Sequence, residues 1–190
     1  MNKLEVNSVI RFEAELFTIG SWTLLSLPRS ASTQLPSRGM TMVEGTINGF
    51  RFQAPLEPDG KGSHWFRVDE TMLEGAGAEA GDTVMLAIEP AKEWTEPQVP
   101  EDLKSAFAAD PQVYALWLDC TTMARWDWIR WINATAQQET RRRRIEVAFS
   151  KLKSGMRRPC CFNRSMCTEP YVSKNGVLLA PAQMTETRRV

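Results

Sequence analysis

The chain has 190 residues, 43% hydrophobic and 24% charged, with 23 Lys and Arg against 23 Asp and Glu, an ordinary composition for a globular protein with one or two cores. The balance is uneven along the chain. Residues 1–100 carry 8 basic and 14 acidic groups, a net of −6, and residues 101–190 carry 15 and 9, a net of +6; this excludes a uniformly basic nucleic-acid binder and favours halves that dock on each other or on different partners.

Residues 1–10 lack the apolar stretch of a secretory leader. No apolar run approaches the roughly 18 residues a membrane helix needs. Residues 9–16 alternate as a half-buried strand does, and 21–27 form a second strand stopped by Pro28. Residues 30–39, rich in Ser, Pro and Gly, predict a loop. Strands at 41–47 and 50–54 flank Asn48-Gly49, a strong hairpin signal. Strands at 64–68 and 83–88 follow further turns. Six short strands with tight turns predict a small barrel over 8–92, since closure removes exposed edges. Residues 93–100 form a linker. Helices are then expected at 101–109, 111–119 (capped by Asp110, with Pro111 at its first position), 122–134, and from a capping box at Thr135–Gln138 to Lys153, with a stop at Gly155. The fold class is α+β: an N-terminal six-stranded small β-barrel, a C-terminal helical domain at 101–155, and an irregular tail at 156–190.

The helix at 122–134 is apolar on two sides. At about 100° per residue, Ala124, Trp128, Trp131 and Ile132 share one face, and Trp126, Ile129 and Asn133 the other. Such a helix is expected between two bodies, here the N-terminal β domain and a C-terminal helical hairpin. Left uncovered, Trp126 and Ile129 would offer a binding patch.

Three stretches of the first half, 41–47, Gly60-Lys61-Gly62 before 64–68, and Gly81-Asp82-Thr83-Val84, resemble a bacterial domain of unknown function. That resemblance implies a double-split barrel of AbrB-like shape. In the second half, Trp131-Ile132, Glu139-Thr140-Arg141 and Arg144-Ile145 resemble the YdeI/OmpD-associated, or bacteriocin-protection, helical domain. The two resemblances cover about 8–158 and imply a stress-protection association, with no catalytic residue to carry over.

Residue chemistry points the same way. His64, the only histidine, would have to serve any Ser–His or Cys–His system, but it sits within a strand and no Gly-x-Ser-x-Gly elbow exists. Gly75-x-Gly77-x-x-x-Gly81 has the wrong spacing for a dinucleotide loop. Glu13/Glu15 and Asp69/Glu70 read as solvent-facing strand or turn positions. Adjacent Cys160 and Cys161, with Cys167 and Cys120, suit neither a disulfide nor a zinc site; reduced thiols, folding without metal, no cofactor and a cytoplasmic location are expected.

The run Arg141–Arg144 is no one-sided stripe. Arg143 points outward, Arg142 and Arg144 lie beside the apolar face of Ile145, Ala148, Phe149 and Leu152, and Arg141 lies nearly in line with it. Arg143 and Arg144 are therefore candidate but weak binding residues, and specific duplex DNA binding is not expected. Arg141, with Trp128 and Trp131, is assigned a structural role at the domain seam. It should be largely buried and doubly bonded to an acid, with Asp119, Asp127 or Asp82 as candidates. The expected function is a non-enzymatic cytoplasmic accessory or binding protein with a protein or small-molecule partner, as monomer or homodimer. An AbrB-like nucleic-acid binder and a small-molecule enzyme at the barrel–helix junction are the alternatives.

Overall fold

The computed structural model describes residues 9–135, 137–159, 171 and 177–179. Cys160, Cys161 and Cys167 lie outside them, as does most of the expected tail. Two compact units divide between Glu93 and Trp94.

The first unit is a closed barrel of six antiparallel strands in the order β1-β2-β5-β4-β3-β6. The strands are β1 (Ile10–Ile19), β2 (Trp22–Ser26), β3 (Thr41–Ile47), β4 (Phe50–Pro58), β5 (His64–Arg67) and β6 (Thr83–Pro90). Alternation explains the closure: Ile10, Leu16, Val43, Ile47, Phe52, Ala54, Val84, Leu86 and Ile88 point inward and form one core. The hairpin between β3 and β4 turns through positive φ at both Asn48 (47°) and Gly49 (87°), which matches the right-handed strand twist. Asn48 also locks the hairpin to β6, its Oδ1 accepting from Met85 N at 2.9 Å.

Two helices interrupt the expected loops. Helix α1 (Arg29–Ser32) occupies part of the stretch read as a loop. Helix α2 (Glu70–Ala76) takes Asp69 as its N-cap, Oδ1 accepting from Met72 N at 2.9 Å. Asp69 and Glu70 are therefore a cap and a first turn. Gly75 lies in α2, where a Cβ would meet the Phe50 ring at 2.2 Å, and Gly77 ends α2 in the left-handed conformation. These glycines serve packing and capping, which accounts for their unsuitable phosphate-loop spacing.

Among its described residues the second unit holds four helices: α3 (Glu101–Ala109), α4 (Pro111–Leu118), α5 (Thr122–Asn133) and α6 (Gln138–Lys153). Asp110 caps α4, its Oδ1 accepting from Val113 N at 3.2 Å, and Pro111 opens the helix. The capping box at α6 does not form. Gln137 is the N-cap without a side-chain bond, and buried Thr135 instead accepts from Gln137 N at 3.2 Å in a turn before the helix. The core runs from Leu103 and Phe107 through Val113, Trp117, Trp128 and Ile132 to Ile145 and Leu152.

Candidate ligand groove

Two helix faces and an extended segment build a groove of about 740 Å³ in the helical unit. Helix α3 contributes Lys104, Phe107 and Ala108, and α4 contributes Tyr114, Trp117 and Leu118. Both sets follow the i, i+3, i+4 spacing that puts side chains on one face. Pro97 and Val99, in the segment before α3, line it as well. Phe107 is the hub: its ring centre lies 5.2 Å from Trp117, 5.4 Å from Tyr114 and 5.2 Å from Phe149. Phe107 and Trp117 are buried, whereas Tyr114 and Leu118 stand 45% and 58% exposed along the rim. An aromatic floor beneath an exposed apolar rim is the usual lining of a small-molecule site.

Glu96 and Arg125 also line the groove. The guanidinium binds the carboxylate at two points, Nε to Oε2 at 2.7 Å and NH2 to Oε1 at 2.5 Å, and the Thr122 hydroxyl donates to Oε1 at 2.6 Å. Arg125 NH1 turns the other way and donates to the carbonyls of Trp117, Leu118 and Cys120, closing the C-terminal end of α4. The Arg125 hydrogen bonds hold the Glu96 carboxyl below its ordinary value, against the opposing pull of burial. Glu96 is thus an engaged carboxylate and a poor proton acceptor. Cys120 is buried, its Sγ donating to Leu116 O at 3.4 Å, and burial pushes its thiol up. That environment disfavours the reactive thiolate.

The barrel contains a Ser–His contact. Ser32 Oγ and His64 Nδ1 are 2.8 Å apart, and His64 Nε2 donates to Gly39 O at 3.0 Å. Both residues are no more than 1% exposed, so the pair ties α1 and the residue-39 loop to β5 and has no access for a substrate. His64 has the structural place expected of it.

The residues singled out from the sequence gather around α5 and α6. Trp126 is half-buried, its indole donating to Thr95 O at 2.7 Å. Ile129, expected beside it as a possible surface patch, is 4% exposed and belongs to the core of the helical unit. The second apolar face of α5 is covered by the unit's own chain, so Ile129 offers no surface. Trp128 is fully buried, donates to Arg157 O at 3.0 Å, and meets Trp131 edge-on with centres 5.9 Å apart. Arg144, expected to lie to one side as a weak binding residue, is 9% exposed. It donates to Trp131 O at 2.7 Å and lies 5.5 Å from that ring's centre. Arg143 is exposed.

Arg141 makes the double contact with an acid, but the acid is Asp102 of α3: Nε to Oδ2 at 2.5 Å and NH2 to Oδ1 at 3.0 Å. NH1 donates to Asn133 Oδ1 at 2.8 Å, joining α3, α5 and α6 within the helical unit. Asp119 pairs with Arg157, Asp127 pairs with Arg130 and Arg158, and Asp82 accepts from Glu79 N.

The groove residues escaped sequence reasoning, although α4 carried a signal. Its sequence PQVYALWL is apolar on nearly every side, more than one buried face requires.

Residues 96–155 match the family model described as Bacteriocin-protection, YdeI or OmpD-Associated, and residues 9–88 match that of a domain of unknown function (DUF1905). No curated protein matches the chain. The groove residues from Glu96 to Arg125 all fall within the first match.

Proposed function

We propose that this chain is a non-enzymatic accessory protein that captures a small apolar molecule in the helical groove, in keeping with the bacteriocin-protection description of the matching family. One observation carries the reading: an open groove floored by Phe107 and Trp117, whose adjacent acid and base are already bound to each other. Catalysis needs a group poised to accept or deliver a proton, or to attack. Glu96 is held ionised by Arg125, and Cys120 is buried as the thiol. A cytoplasmic setting suits that thiol.

The arginine run gives little support to nucleic-acid binding. Arg141, Arg142 and Arg144 contact Asp102, Glu139 and Trp131 respectively. The acidic first half would also repel a phosphate backbone.

The neutral dye N-phenyl-1-naphthylamine tests the reading. Its emission should rise saturably with the full chain. Leu118→Glu, at an exposed rim position, should abolish the rise without moving the thermal melt. No saturable binding, or equal binding by Leu118→Glu, would overturn the reading.

A further inference from the structure

We infer that the ligand class of the groove is an aromatic carboxylate, a planar ring system bearing one anionic group; this rests on the groove being a binding site. The floor selects the ring. Phe107, Trp117 and Tyr114 present faces and edges at the tilted angles, 45° and 49°, that aromatic packing favours, and a further flat ring can join such a cluster by stacking or edge contact. Pro97, Val99 and Pro111 line it with aliphatic surface that adds no competing hydrogen-bond group from a side chain.

The charged groups select the anion. Among the described residues, three charged side chains line the groove: Glu96, Arg125 and Lys104. Glu96 and Arg125 neutralise each other through two short hydrogen bonds, and Thr122 takes a further lone pair of the carboxylate. Lys104 is left as the adaptable charge. Its ammonium meets Glu101 at 3.2 Å, one helical turn away, and the two side chains are 58% and 84% exposed. An exposed pair of that kind is worth little and yields readily to another partner. An incoming carboxylate gains a charge-assisted bond at the mouth, while its ring covers apolar surface and thins the water around that bond. An ammonium-bearing ligand would meet Lys104 with like charge and find Glu96 already occupied.

A matched series separates this inference from the reading beneath it. Binding of 2-naphthoate, the neutral 2-naphthamide and 2-naphthylmethylammonium to the full chain is measured by titration at low salt. Naphthoate should bind about tenfold more tightly than naphthamide, as a charge-assisted bond provides, and the ammonium more weakly than either. Lys104→Gln should bring naphthoate to within about twofold of naphthamide, with naphthamide itself unchanged. Equal binding of naphthoate and naphthamide by the wild type, or preference for the ammonium, would overturn the anionic class and leave the groove reading standing. A naphthoate preference that survives Lys104→Gln would also overturn it. Binding of none of the three would remove the groove reading and this inference together.

Discussion

The barrel and the helical unit solve the problem of a small core in different ways. The barrel closes its sheet, and its buried polar groups pair with one another, as Ser32 and His64 do. The helical unit, built from helices of 8 to 16 residues, is fastened by ion pairs between distant positions: Glu96–Arg125, Asp102–Arg141, Asp110–Lys153 and Asp119–Arg157. The closed sheet gathers its inward apolar side chains into one core. Short helices pinned at their ends leave a concave face, and here that face is the aromatic groove.

The most damaging change to the helical unit should be Trp128→Ala. The ring is fully buried and its indole bonded, so its loss should cost about 3–5 kcal/mol. Chemical denaturation followed by amide proton resonances should show those of the helical unit losing stability, while those of the barrel's sheet keep their midpoint. A shared drop of both signals would show that the units unfold as one.

Ser32→Ala is the corresponding change in the barrel. It leaves the buried His64 Nδ1 without its partner and should destabilise the barrel by about 1–3 kcal/mol, read from the same sheet signal. An unchanged midpoint would mean that this pair holds nothing in place.

Arg141→Ala should cost about 1–2 kcal/mol, less than a fully buried pair would, because Asp102 is 44% exposed and can be rehydrated. Arg143→Ala, on an exposed position of the same helix, should change stability by less than about 0.5 kcal/mol. Urea midpoints check both, and equal midpoints would reduce Arg141 to an ordinary surface arginine.

Acid should separate the units with the gentlest slope. Hydrogen bonds from Arg125 and Arg141 hold Glu96 and Asp102 below their ordinary values of 4.5 and 3.8. With folded values below unfolded ones, the stabilisation is complete above those ordinary values and is lost as pH falls through them toward the folded ones. Thermal melts between pH 7 and pH 3 should show the helical transition falling before the barrel's. A barrel that melts first in acid would contradict the contrast.

Much of the barrel was legible because a period of two, broken by Asn48-Gly49 and Gly81-Asp82, leaves few alternatives. Helix α2 was not, since seven residues are too few to show a helical period, and Asp69 reads as a turn residue until its cap bond is seen. The chemistry of Arg141 was legible and its partner was not. The bidentate contact follows from an arginine stem on an apolar face, but Asp102 lies 39 residues away, and only the packing of α3 against α6 brings it there. The α6 capping pattern misled because Thr135 is buried two residues before the cap, Gln137. The groove belongs to no single stretch: it arises where α3, α4 and residues 96–99 converge, a relation that one-dimensional periodicity does not contain.

The proposed ligand groove can be checked through the indole N–H resonances of the seven tryptophans during titration with N-phenyl-1-naphthylamine. The Trp117 resonance should shift saturably while those of Trp22 and Trp65 in the barrel stay fixed. Saturable shifts at Trp22 or Trp65 with Trp117 unmoved would contradict the groove proposal.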